Sequence, residues 1–233
     1  MSRQPLLLLP GMMCDARLFA PQISDLDDIA EIRVGDLGGA ETISEIARQV
    51  LEAAPWPRFA LAGLSMGGIV AMEVMRQAPE RVERLALLDT NHRAEAPDRQ
   101  ALRQPQIERA VGGALRRVLI EEMKPLYLAP QSRDDETILN TVLDMALDLG
   151  AEVFVRQSTA LRDRPDQSAT LRAAEVPTLV LCGACDNLCP VERHLEIAAL
   201  LPRARLEIIP EAGHLPTLER PAETSAALRR WLN

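Results

Sequence analysis

The stretch Phe59-Ala60-Leu61-Ala62-Gly63-Leu64-Ser65-Met66-Gly67-Gly68-Ile69-Val70 decides the fold. Its first four residues form an apolar run of strand length, and Ile69, Val70, Met72, Glu73, Val74 and Met75 carry the period of a helix with an apolar face. Ser65 falls on the turn between them, inside a G-x-S-x-G pattern. A tight strand-to-helix turn crowds any Cβ beside the serine and takes the backbone into unusual dihedrals, a geometry that Gly63 and Gly67 permit. An ordinary turn or a phosphate-binding loop competes for the same residues. Residue identity argues against the second, because no G-x-G-x-x-G is present and Ile69 stands where a P-loop requires Lys.

A serine hydroxyl is a poor nucleophile at neutral pH and needs a histidine base oriented by an acid. The chain has three histidines. His214, in Glu211-Ala212-Gly213-His214-Leu215-Pro216, follows the strand-like Leu206 to Ile209 and is the expected base. His194 sits inside a helical pattern from Val191 to Leu201 and reads as a surface or packing residue, whereas His92, after the strand-like Leu85 to Asp89, reads at most as a pocket residue. Asp186 follows the apolar run Pro177 to Cys182, with Gly183 loosening the turn and Pro190 opening the next helix, and is the expected acid. Asp89 also ends a strand and is its rival. The resulting order Ser65, Asp186, His214 is that of a nucleophile elbow on an α/β sheet.

The negative charge that develops on an acyl oxygen also calls for backbone donors, each worth about 3 kcal/mol in the barrier. The Met66 N–H, directly after the nucleophile, supplies one. Leu6 to Leu9 followed by Pro10-Gly11-Met12-Met13 reads as a strand and its loop, and Gly11 lets the Met12 N–H turn toward the acyl group as the second.

Together these residues resemble the α/β-hydrolase family, especially its small carboxylesterases and the hydrolases of meta-ring-cleavage products. Pro10 to Met12, Gly63 to Gly67, Gly183 to Asp186, and Gly213-His214 followed by Glu219, Arg220 and Pro221 carry the resemblance, which spans nearly the whole chain. It differs in two places: Pro10-Gly11 replaces the family's usual His-Gly, and the first hairpin is missing, so six strands are expected where the family typically has eight. The resemblance implies hydrolysis of a small-molecule ester by water, with no cofactor and no metal. The same residues also suit a carbon–carbon bond hydrolase of ring-cleavage products or, in a different class, a non-catalytic ligand-binding protein on a hydrolase scaffold.

Outward from the elbow, strand-like Glu31 to Val34, Val82 to Asp89, Val176 to Cys182 and Leu206 to Ile209 alternate with helical patterns, including Thr42 to Ala54 with a capping box from Thr42 and Glu45. This alternation predicts an α/β fold with a mostly parallel sheet covered by helices. The pattern breaks between Arg93 and Leu171, where helical periods run over 98–111, 115–123, 136–149 and 151–161. The expected organisation is therefore an α/β-hydrolase core over 1–94 and 173–233 with a helical cap inserted over 95–172. Met123, Leu126, Tyr127, Leu128, Met145, Leu149 and Phe154 are the candidates from the cap for an apolar pocket lining, with plain helix packing the favoured reading of each taken singly.

With 47% hydrophobic and 26% charged residues, the 233-residue chain matches an ordinary globular enzyme, and its net charge of −8 argues against a nucleic-acid surface. The arginines are dispersed apart from the pairs Arg116-Arg117 and Arg229-Arg230, so the expected substrate is an uncharged, small to medium ester. Leu6 to Leu9 is too short for a signal peptide and no run approaches a membrane span, so a cytoplasmic protein is expected. Cys182, Cys185 and Cys189 form a C-x-x-C-x-x-x-C cluster, but a zinc site usually adds a second Cys or His pair, and reduced thiols are the expectation.

Overall fold

Leu6 to Leu9 are each no more than 3% exposed, yet they divide between two cores. Leu7 and Leu9 join Phe59, Leu61, Leu85 and Leu87 on one side, while Leu6 and Leu8 join Ala60, Ala62, Ala86 and Leu88 on the other. That alternation is the period of a strand buried on both faces, the signature of a parallel sheet enclosed by helices. The computed structural model describes residues 3–123 and 126–233. The strands are β1 (Gln4–Leu9), β2 (Ala30–Val34), β3 (Phe59–Leu64), β4 (Val82–Leu88), β5 (Thr178–Gly183) and β6 (Ala204–Ile209), all parallel in the order β2-β1-β3-β4-β5-β6. The six strands predicted from the sequence are all present, with ends shifted by one or two residues.

The helices are α1 (Ala20–Leu26), α2 (Ile43–Ala53), α3 (Met66–Gln77), α4 (Pro97–Arg109), α5 (Leu115–Val118), α6 (Glu136–Arg162), α7 (Ser168–Ala173), α8 (Val191–Leu200), α9 (Pro216–Glu219) and α10 (Pro221–Leu232). Ile46 and Val50 of α2, Val70 and Val74 of α3 and Ile197 of α8 cover one face, and Leu26 of α1 with Leu228 and Trp231 of α10 cover the other. Thr42 Oγ1 accepts from Glu45 N at 3.2 Å, but the Glu45 carboxylate pairs with Arg48, so only half of the expected capping box forms.

Between β4 and β5 the described residues contribute helices alone. Two five-residue π-helical turns, Ala110–Ala114 and Leu119–Met123, flank α5, and Gly113 takes φ 87°. The helical patterns at 98–111 and 115–123 are thus interrupted around the glycine pair. Gly150, at φ 79° and ψ 176°, breaks α6 where the sequence pattern changes phase.

The order places β2 and β3 on opposite sides of β1. The chain leaves β1 one way and β3 the other, and the crevice where the connections part is where ligands bind in such sheets. Gly11-Met12 and Ser65 stand on its two sides.

Candidate active site

Ser65 takes φ 55° and ψ −115°, a backbone state that costs a residue with a side chain about 1–3 kcal/mol and persists only when its surroundings impose it. Close packing imposes it here. A Cβ on Gly63 would lie 2.2 Å from the Gly67 carbonyl oxygen, and one on Gly67 would lie 2.0 Å from that of Leu9, so the turn tolerates only glycine on either side of the serine. Ser65 N donates to Leu88 O at 2.9 Å, and Thr90 Oγ1 donates to Ser65 O at 2.7 Å, tying the elbow to β4 and the residues after it.

Three residues from three strand ends meet. His214 Nδ1 lies 2.8 Å from Asp186 Oδ2, and His214 Nε2 lies 2.9 Å from Ser65 Oγ. An ionised carboxylate only accepts, so the imidazole proton sits on Nδ1 and Nε2 is left to accept from the serine hydroxyl. Asp186 Oδ1 accepts from the amides of Leu188 at 2.8 Å and Cys189 at 3.0 Å. Burial opposes ionisation of Asp186, but His214 and these two amides hold its carboxyl below the usual range.

Asp89 does not reach the imidazole. Its Oδ1 accepts from Gly183 N at 2.8 Å, and its Oδ2 has no partner among the described residues. Burial, and then the charge of Asp186, push its carboxyl well above the ordinary value and favour the protonated acid. His194 is fully buried rather than superficial: Nε2 accepts from Thr90 N at 3.0 Å and Nδ1 lies 3.2 Å from Pro190 O. Burial lowers its pKa to about 4, so it is a neutral strut between α8 and the end of β4. His92 is buried too but does not line the cavity.

The Met12 and Met66 amides have no acceptor within the chain among the described residues, and both residues border the same cavity as Ser65 and His214. Met13, at φ 57°, donates its amide to Gln157 Oε1 at 2.8 Å, while Gln157 Nε2 reaches Leu37 O at 3.3 Å. Gln157 therefore holds the turn that presents Met12, a role no spacing in the sequence announces. Glu219 holds a second turn. Its Oε1 accepts from Gly213 N at 2.9 Å and Leu215 N at 3.2 Å, bracketing His214, and its Oε2 accepts from Ala129 N at 2.8 Å. Burial raises its pKa despite these bonds. His214 N donates to Tyr127 O at 2.6 Å, and the Tyr127 ring stacks over the imidazole with centroids 5.9 Å apart. The G-H-x-x-x-x-E spacing was the available signal for Glu219, and Tyr127 was a candidate for the pocket lining, but nothing in the sequence announced Gln157 or the bond from His214 N to the Tyr127 carbonyl.

A cavity of about 390 Å³ opens onto Ser65 and His214. Of the seven apolar lining candidates, Met123, Leu126 and Tyr127 border it. Leu128, in the turn before α6, and Met145 of α6 pack instead into the core under one sheet face, and Phe154 of α6 packs into the other with Leu149 against it. The charge of the wall also departs from the sequence reading: Arg93, Arg99, Arg103, Arg164 and Arg193, dispersed along the chain, all border the cavity. Asp186, Cys189 and His214 bring donor atoms within 4.8 Å of one another. Both imidazole nitrogens are engaged with Asp186 and Ser65, and burial keeps the Cys189 thiol protonated, so the donor set suits proton transfer better than a cation. All four cysteines are free, and no helix among the described residues is long and apolar enough to cross a membrane.

Residues 9–227 match the model of the alpha/beta hydrolase family. A pimeloyl-[acyl-carrier protein] methyl ester esterase of Pectobacterium carotovorum is 30% identical, over 93% of this chain and 89% of that protein. The dihydrolipoyllysine-residue acetyltransferase component of an acetoin cleaving system from Pseudomonas putida is 27% identical over 96% of this chain, which spans only 58% of that protein. A thermophilic esterase from Thermogutta terrifontis, solved with malate bound, superposes with a TM-score of 0.88 at 28% identity, covering 99% of this chain and 90% of that one. In sequence and in fold, the chain belongs to the α/β-hydrolase family of enzymes.

Proposed function

We propose that the protein is a serine hydrolase that cleaves carboxylic esters of small to medium size through an acyl-enzyme on Ser65. One observation carries this reading: the unbroken line from Asp186 Oδ2 through His214 to Ser65 Oγ, with links of 2.8 and 2.9 Å, opening onto a cavity of about 390 Å³. His214 Nε2 takes the hydroxyl proton as Ser65 Oγ attacks the ester carbonyl. The Met12 and Met66 amides receive the oxyanion. As the intermediate collapses, His214 returns the proton to the departing alkoxide. His214 then takes a proton from water, the hydroxide attacks the acyl carbon, and the carboxylic acid leaves with Ser65 restored. Asp186 keeps Nδ1 protonated and stabilises the imidazolium without taking the proton. Leu126, Met123 and Leu161 provide an apolar wall for a short carbon chain.

The test is a series of p-nitrophenyl esters run beside a ring-cleavage dienoate. Esters are expected to show a burst of p-nitrophenol and kcat/KM at least about a hundredfold above the dienoate. Faster turnover of the dienoate would replace this reading with carbon–carbon hydrolysis. Absence of any acyl-enzyme would favour a ligand-binding protein.

A further inference from the structure

Arg103 of α4 and Arg164, just beyond α6, share one acid. Glu95 Oε2 lies 2.9 Å from Arg103 Nη2 and Glu95 Oε1 lies 3.0 Å from Arg164 Nη2. The three side chains are 18%, 6% and 6% exposed, so two guanidiniums and one carboxylate leave one uncompensated positive charge in a largely desolvated cluster. Arg164 Nε donates to the Arg93 carbonyl at 2.9 Å, while its Nη1 meets no acceptor among the described residues. Among the described residues Arg103 Nη1 meets only the Met12 thioether, at 3.6 Å, a weak acceptor. An unpaired buried charge is costly to maintain, and both guanidiniums border the cavity that holds Ser65.

The remaining charges do not cancel the surplus. At the rim, Arg93 and Arg193 share Glu196, and Glu122 is bridged to Arg109. Counting the whole lining, Arg93, Arg99, Arg103, Arg164 and Arg193 stand against Glu95, Asp98 and Glu122, in a chain whose net charge is −8. The lining of this opening thus carries more positive than negative side chains, which favours an entering anion.

Resting on the ester-hydrolase reading above, we propose that the substrate carries one carboxylate besides its ester, held by Arg103 and Arg164 while the ester carbonyl lies between Ser65 and the Met12 amide. Monoesters of short dicarboxylic acids fit this description. A single carboxylate neutralises the surplus of the Arg103–Glu95–Arg164 cluster, whereas a dianionic phosphate would leave that cluster with a negative excess. The planar guanidinium fork matches a carboxylate, and because Arg103 touches the Met12 side chain, anion binding and oxyanion stabilisation meet at one residue.

The test uses Ser65→Ala protein titrated calorimetrically with monomethyl adipate, dimethyl adipate and a phosphate-bearing methyl ester of similar length. The half-ester should bind at least about tenfold more tightly than the diester, the scale of one charge-assisted hydrogen bond, and lose affinity as salt rises. Adding Arg103→Gln should bring that ratio toward one, and Arg103→Lys should restore part of it. Glu95→Gln, which enlarges the positive surplus, should raise it, so the expectation survives a poorly folded Arg103 variant. Equal affinities, a ratio unmoved by these substitutions, or tighter binding of the phosphate ester would overturn the proposal. Turnover of both esters by the wild-type chain is read separately. Hydrolysis without preference keeps the hydrolase and removes the carboxylate site; preferential half-ester binding without hydrolysis supports the site and removes the hydrolase.

Discussion

The carboxyl edge of the sheet and the helices between β4 and β5 face one another across a single cavity, yet they are built by opposite rules. At the sheet edge, position is dictated by backbone: Met13, Ser65, Asp89 and Glu211 all have positive φ, and each closely follows a strand. Backbone held in such states by surrounding packing cannot relax when one side chain changes. Across the cavity, position depends on long side chains in shared ion pairs, on two π-helical turns and on helices that leave Leu102, Val111 and Ile120 exposed. Such a wall can change its selectivity without disturbing the proton path opposite. On the proposed reading, the chemistry is placed where backbone geometry is over-determined, and recognition where long side chains on the helices set the charge of the wall.

The largest expected effect comes from separating the two acids of the edge. Asp186→Asn should lower kcat by about ten-thousand-fold, because the amide cannot hold His214 in the tautomer that accepts from Ser65. Asp89→Asn replaces a carboxyl whose neutral form is favoured and should cost less than about tenfold. Equal losses in the two variants would mean that the acids act as one unit and that Asp186 alone does not orient the imidazole.

Next comes acid stability, which should reside at the sheet edge. His194 titrates near 6.5 when exposed and at about 4 when folded, because burial disfavours its cation. Its neutral form accepts from Thr90 N, and a proton on Nε2 would face that N–H. The unfolded chain therefore binds the proton first as pH falls, and the contribution is complete above pH 6.5 and lost progressively toward pH 4. That window corresponds to about 3 kcal/mol. Urea unfolding at pH 7, 5.5 and 4 should show the decline, and His194→Gln should flatten it. An unchanged slope in the variant would move the acid sensitivity elsewhere.

Gln157 blurs the division, since it belongs to α6 but anchors the Met13 turn at the sheet edge. Gln157→Leu should lower kcat by about ten- to a hundredfold with a smaller change in KM, part of the loss seen when an oxyanion donor is removed outright. A change in KM alone would place Gln157 in substrate binding. The smallest effect is expected on the outer wall: Val111, 67% exposed, can become Ser with a stability change within about 0.5 kcal/mol by thermal unfolding.

The parts legible in the sequence are those fixed by local pattern. The elbow announces itself because its glycines, serine and helix are contiguous, and Asp186 and His214 each follow an apolar run long enough to be a strand. The break at Gly150 is visible as a change of helical phase. What stayed hidden depends on pairing across long stretches of chain. Gln157 meets a residue 144 positions away, and Ala129 finds Glu219 90 positions on. The arginines look dispersed because Arg93, Arg103, Arg164 and Arg193 converge only when α4, α6 and α8 gather around the cavity. Four of the apolar lining candidates pack into the core instead, three of them on α6, where periodicity locates an apolar face but does not say which surface it meets.

The most direct measurement is intact mass after treatment with a fluorophosphonate, comparing the wild-type chain with Ser65→Ala. The account predicts one adduct on the wild-type protein and none on the variant, because only a serine whose proton can pass to His214 reacts with the probe. An unlabelled wild-type chain, or equal labelling of the variant, would contradict the assignment of Ser65 as nucleophile.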